Sequence, residues 1–253
     1  MQKYLVEVSA LKVRIKFTKT GSLKFIGHLD VMRYFQKAFR RAEVDVAYSK
    51  GFSPHQLLSF AAPLGIGLTS EGEYLDAEFE SVLTSKEMLE KINEVMVEEL
   101  HILEFKELDD NAENAMASVA GADYLVKIRD GYYKDHTFFE QLDSFAKKDS
   151  ICILKKTKKS EKEVDIRPMI YKIEQKDDAI FMQLATGSVA NLKPETVMMA
   201  LCKECGMEYE PFGFLVHRLE TYMQDPKEEG KLIPLGAVGH EIMEPKQDGK
   251  KEA

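Results

Sequence analysis

Apolar and polar residues alternate through Lys12–Phe17, with Val13, Ile15 and Phe17 on one side and Lys12, Arg14 and Lys16 on the other. This is the period-two pattern of a half-buried strand, so the first strand is expected to carry a cationic outer face. From His28 to Ala42 the period becomes helical. Leu29, Met32, Phe35 and Phe39 form an apolar stripe, and Arg33, Lys37, Arg40 and Arg41 recur three or four residues apart on another side. "VDVAYS" then reads as a strand, "KGFSPHQ" as a turn-rich loop, "YLDAEFE" as an alternating strand, about Lys86–Leu100 as a helix and "HILEFKEL" as a further strand.

Strand, helix, strand, strand, helix, strand is the order of a ferredoxin-like split βαβ unit, and it recurs. "ADYLVKIRD", "SICILKKTKK", "EVDIRPMIYKIEQ", "AIFMQLATG" and "FGFLVHRLETYM" read as strands. "KDHTFFEQLDSFAKKD" and "KPETVMMALCKECG" read as helices, the second with Pro194 near its start and Gly206 after its end. The expectation is an α+β chain of two tandem ferredoxin-like (βαββαβ) units over residues 10–108 and 122–223. A polar, small-residue linker, "LDDNAENAMASVAG", joins them, and residues 224–253 read as a flexible tail.

Composition narrows the function. Hydrophobic residues make up 44% and charged residues 31% of the 253, which suits a globular protein and excludes a collagen-like or disordered one. The N-terminal "MQKYLVEVSALKVRIKF" alternates where a signal peptide would have an apolar block, and no apolar run has a membrane-spanning length. A cytoplasmic protein without a membrane association is expected. Three cysteines, Cys152, Cys202 and Cys205, are too few for a disulfide framework and agree with a reducing compartment. The formal charge of -8 argues against wrapping of nucleic acid by the whole molecule. The charge is polarised, however: residues 1–50 hold eleven Lys/Arg against four Asp/Glu.

The stretch "FTKTGSLKFIGHLDVMRYFQKAFRRAEVDVAYSKGFSPHQLLSFAAPLGIGLTSEGEYLD", together with "KKTKKSEKEVDIRP" and "GSVANLKPETVMMAL", resembles the radical SAM-linked protein family. That family is a domain of unknown function fused behind, or encoded beside, a radical SAM enzyme. The resemblance spans most of residues 12–222, with Ser53 where Asn is common before Pro54. It implies a radical SAM enzyme as partner and, through a ribonuclease of the RNase G type encoded nearby in many genomes, hints at RNA. It carries no established activity to any residue.

Four groups of residues are candidates for chemistry. Cys202-x-x-Cys205 with the distant Cys152 lacks the three-thiolate pattern of a radical SAM cluster. Half a metal site with His217 stands against core packing, because Met198, Leu201, Cys202 and Cys205 share a helical stripe; no cofactor or metal is expected. His28 at a helix entrance and His55 in the next loop could form the base and acid of a metal-independent endoribonuclease. RAMP-type endoribonucleases use a comparable tandem architecture, but the bland reading is a helix cap and a loop brace. The basic stripe Arg33, Lys37, Arg40 and Arg41 is followed by Tyr48, Lys50, Phe52 and His55, the cation-and-ring mixture that single-stranded RNA binding uses. Its bland reading is a solvated helix face, and its protein-only reading a dock for an acidic patch on the partner. Lys155, Lys156, Lys158, Lys159 and Arg167 make a second cluster, with Asp165 and Arg167 expected on one strand face as an ion pair or with Arg167 toward a phosphate. The expected function is a noncatalytic RNA-binding or substrate-presenting partner of a radical SAM enzyme.

Overall fold

The computed structural model describes residues 10–133, 137–156 and 161–247. In chain order its elements are β1 (Leu11–Lys19), α1 (His28–Arg41), β2 (Leu58–Phe60), β3 (Thr69–Phe79), β4 (Ser81–Val82), α2 (Ser85–Asn93), β5 (Ile102–Glu107), α3 (Ala115–Ser118) and β6 (Val119–Ile128). They continue with α4 (Thr137–Ala146), β7 (Cys152–Lys156), β8 (Glu161–Asp165), β9 (Ile170–Lys176), β10 (Ala179–Ala185), α5 (Pro194–Glu204), β11 (Phe214–Gln224), β12 (Leu232–Pro234), β13 (His240–Glu241) and β14 (Lys246–Gln247). This is a mixed α+β protein. It divides into two compact units: one takes the chain up to Ile66, Gly72–Ser118 and the residues from Pro234 onward, and the other Gly67–Glu71 and Val119–Ile233.

In the first unit the strands lie in the order β13, β5, β1, β3, with β2 on β3. Val13, Ile15 and Phe17 are almost wholly buried on one face, as their alternation requires. They meet Val31, Phe35 and Phe39 of α1 and Phe60, Leu75 and Phe79 in one core. Its centre is aromatic: Phe35 stands edge-on to Phe17 at 4.8 Å and to Phe60 at 5.8 Å, and Phe39 packs on Phe79 at 5.8 Å. Such pairs add to the area they bury. The helical stripe is corrected at one position: Leu29 is 59% exposed, Met32 is partly buried, and the buried side runs through Val31, Phe35, Ala38 and Phe39.

Four further expectations change in this unit. "VDVAYS" contributes only isolated bridges, Val46 to Phe79 and Tyr48 to Gln56, because the chain bends into the loop that follows. The cationic outer face of β1 is not fully cationic or outer, since Arg14 is 1% exposed. Its Nη2 donates to the Glu113 carbonyl at 2.9 Å and its Nη1 to the Leu235 carbonyl at 3.0 Å. The expected linker therefore packs here, with the Ala115 N–H donating to Asp76 Oδ2 at 2.7 Å. The expected flexible tail also contains structure: β13 pairs with β5, β14 pairs with β4, and Leu235 and Ile242 are buried. Apolar residues at those two positions find a core, which the glycine- and proline-rich composition around them conceals.

In the second unit the order is β11, β6, β10, β9, all antiparallel neighbours. Ala122, Tyr124 and Val126 of β6 alternate into a core with Phe138, Leu142, Phe145, Met198, Leu201 and Cys202. Strands β7 and β8 form a hairpin that is a two-stranded sheet of its own. Among the described residues no helix is long and apolar enough to cross a membrane.

Candidate nucleic-acid interface

Helix α1 begins at the Gly27 N-cap and carries Arg40 and Arg41 in its last turn, where cations favour the negative end of the helix. Arg33, Lys37 and Arg40 are exposed and spaced four and three apart, so they share one face. Arg33 makes an exposed ion pair with Asp30 at 3.2 Å. Lys37 and Arg40 have no hydrogen-bond or ion-pair partner among the described residues. Arg41 has a different role. Its Nη2 donates to the Val95 carbonyl at 2.8 Å and its guanidinium lies 5.9 Å from the Tyr34 ring centre, so it ties α1 to its neighbour and leaves the basic face to the other three.

The loop after α1 is closed at its base. The Ser49 N–H donates to the His55 carbonyl at 2.8 Å, the His55 N–H donates to Ser49 Oγ at 3.1 Å, and Ser49 Oγ lies 2.8 Å from His55 Nδ1. Gly51 adopts φ of +117°, a turn that a side chain would strain. Phe52, next to it, is fully exposed at the tip, and Tyr48, Lys50 and His55 are also exposed. Gln56 is buried and links loop to helix: its Nε2 donates to the Gln36 carbonyl at 3.4 Å and to Tyr48 Oη at 3.3 Å. The loop rings and the Lys37 turn of α1 are therefore neighbours.

The two histidines have separate surroundings. His28 is the first residue of α1, its ring edge-on to Phe60 at 5.0 Å. Burial pushes its pKa below the usual 6.5, and Glu73 partly opposes the shift. His55 is held by Ser49, with the Ser53 carbonyl at the limit of contact. Among the described residues none bonds to both. Beside His28 lies a polar group that no sequence motif marks. Lys19 is 2% exposed, its Nζ donates to the Ile26 carbonyl at 2.9 Å, and burial lowers its pKa while buried Glu73 raises it. The signal was in the alternation, because Lys19 follows Val13, Ile15 and Phe17 in the same period.

The remaining candidates are in the second unit. Lys155 and Lys156 lie on β7, in register with Lys162 and Glu161 of β8, whereas Lys158 and Lys159 fall outside the described residues. Asp165 and Arg167 do not share a strand face, because the chain leaves β8 at Asp165 and Arg167 opens a short 3-10 turn. Asp165 Oδ1 accepts the N–H groups of Ile151 and Arg167, each at 2.9 Å, and these bonds hold its pKa down. Arg167 Nε donates to the Lys148 carbonyl at 2.9 Å and its Nη1 to the Ile170 carbonyl at 2.8 Å; it braces the hairpin base. Cys202 is buried beside Tyr133, Cys205 is half-buried, and His217 Nδ1 lies 2.8 Å from Thr69 Oγ1. No group of three or more His, Cys, Asp or Glu able to hold a metal exists among the described residues.

Residues 12–194 match a family described as an uncharacterized protein conserved in bacteria, DUF2344. The chain belongs to that family. The DUF2344 match begins within β1 and ends at the first residue of α5, so it contains α1, the Phe52 loop and the β7–β8 hairpin. No curated protein matches the chain.

Proposed function

We propose that this protein is a noncatalytic partner of a radical SAM enzyme in the cytoplasm, binding single-stranded RNA on the first unit and presenting it. The observation that carries this reading is Phe52, fully exposed on a loop tied through Gln56 to α1, next to a helix face whose Lys37 and Arg40 have no partner among the described residues. Exposing a phenyl ring to water is unfavourable, and an ordered ring beside free cations is what a nucleic-acid base and its phosphate require. Arg33, Tyr48, Lys50 and His55 complete the proposed face. The radical SAM partnership rests on the family resemblance.

The reading includes two ferredoxin-like units. In the first unit the strands lie side by side in the order β5, β1, β3, β2, which is fourth, first, third, second in chain order, and in the second β11, β6, β10, β9 lie in the same relative order. In both, a helix separates the first from the second strand and the third from the fourth. This order supports the split βαβ reading.

Titrating a fluorescent oligouridylate at several salt concentrations tests the RNA reading. Each phosphate neutralised contributes about -0.7 to the slope of log K against log salt for a single strand. Lys37→Glu with Arg40→Glu is expected to weaken binding for every RNA sequence and flatten the slope. If the wild type does not bind RNA but the double variant loses the radical SAM enzyme, the basic face docks a protein and the RNA reading fails.

A further inference from the structure

The β7–β8 hairpin pairs only with itself, so among the described residues the second edge of β7 has no strand beside it. A cleft of about 510 Å³ lies between β7 and α5. One wall is residues 150–154, of which Cys152, Ile153 and Leu154 are consecutive in β7. Neighbouring side chains of a strand point to opposite faces, so a cleft touched by consecutive residues follows the backbone edge and not one face. The opposite wall is Thr196, Met199, Ala200 and Lys203 of α5, whose spacing of three, four and seven is a single helix stripe. Both walls expose apolar side chains, Leu154 at 65% and Met199 at 51%.

A bare strand edge beside apolar side chains invites another chain to pair with it, and an edge facing a helix stripe is the geometry in which an extended peptide adds as one more strand. The charge around the cleft selects the occupant. Lys148 is neutralised by Glu204 at 2.6 Å, whereas Lys203 is exposed with no partner among the described residues. Lys155 and Lys156 continue β7 directly beyond Leu154.

We propose that this cleft is a docking site for an extended, acidic segment of a protein partner, which adds to β7 as a strand and places alternate apolar residues against Leu154 and Met199. The inference stands on the second unit alone and goes beyond the RNA reading of the first.

Cys152, exposed in the cleft wall, is a built-in reporter. The experiment follows its alkylation by a maleimide in the full chain, by mass spectrometry, with and without an octapeptide alternating glutamate and valine at millimolar concentration. The acidic peptide is expected to slow alkylation of Cys152. Its counterpart with alternate backbone amides methylated, unable to donate along a strand edge, is expected to leave the rate unchanged. Lys203→Glu, on an exposed site that the fold does not use, is expected to weaken protection by about fivefold, the effect of one exposed ion pair. The proposal is overturned if the acidic peptide gives no protection, or if the methylated peptide or a lysine–valine octapeptide protects equally. Protection by oligouridylate but not by the peptide also overturns it and assigns the cleft to nucleic acid. Protection that rises with protein concentration alone, together with a dimer in sedimentation, overturns it in favour of a second copy.

Discussion

Arg14 and Asp76 form a buried ion pair, Nε to Oδ1 at 2.7 Å, with the arginine side chain 1% and the aspartate 13% exposed. A second bond, Nη2 to Oδ2 at 3.0 Å, makes the pair bidentate. The arginine also serves the carbonyls of Glu113 and Leu235, so one side chain binds β1 to β3, to the segment before α3 and to the C-terminal segment.

Removing one member should therefore be costly. Arg14→Leu leaves the Asp76 carboxylate without its counter-ion and two carbonyls without their arginine donor, and a loss of about 3–5 kcal/mol is expected, as for other broken buried pairs. Urea unfolding at neutral pH measures it. Arg14→Leu with Asp76→Leu should recover part of the loss, because the unpaired buried charge is gone. A single substitution within the scatter of surface changes would show that the pair is not desolvated.

His28 gives a pH dependence with a definite sign. Its folded pKa lies below 6.5 because burial disfavours the imidazolium. Between the folded and unfolded values only the unfolded chain holds the proton. The stability that depends on neutral His28 is complete above 6.5 and is lost as pH falls through the folded pKa. The drop in urea midpoint from about pH 7.5 to about pH 5.5 should be smaller in His28→Gln than in the wild type, the carboxylate contribution being common to both. An equal drop would remove His28 as its cause.

Ser85 tests the C-terminal segment. Its Oγ donates to the Phe105 carbonyl at 2.5 Å and accepts the Ile242 N–H at 2.9 Å, while its own N–H donates to the Ile242 carbonyl at 2.9 Å. Ser85→Ala leaves the Ile242 N–H without an acceptor and should cost about 1–3 kcal/mol. Limited proteolysis should then cut within residues 240–247 sooner than in the wild type. Unchanged cleavage would mean that the bonds to Ile242 do not hold this segment.

The aromatic and cationic parts of the proposed RNA face should separate in one assay. Phe52→Ala should cost about 1–3 kcal/mol of binding, as for loss of a stacked base, with little change in salt slope. Arg41→Ala should leave the slope unchanged and lower the melting temperature instead, because its guanidinium bonds to Val95. A flattened slope in Arg41→Ala would place that arginine on the phosphates.

The sequence by itself determined the periods. Val13, Ile15 and Phe17 had to share a buried face, α1 had to carry cations on a side away from Phe35 and Phe39, and the helix and strand order followed from the change of period. What it left open was whether the opposite face of a strand is covered, because alternation reports only which residues lie together. Arg14 and Lys16 have the same phase on β1, yet Arg14 is buried by Asp76 and by carbonyls ninety-nine and 221 residues further along the chain. Burial of that kind depends on which distant segments return to the strand. Apolar residues at Leu235 and Ile242 make that return favourable, but only once β3, β5 and α2 have formed the surface they pack on. Likewise, the exposure of Phe52 and the unpaired edge of β7 depend on which neighbours the described residues bring beside them in space, which no local pattern records.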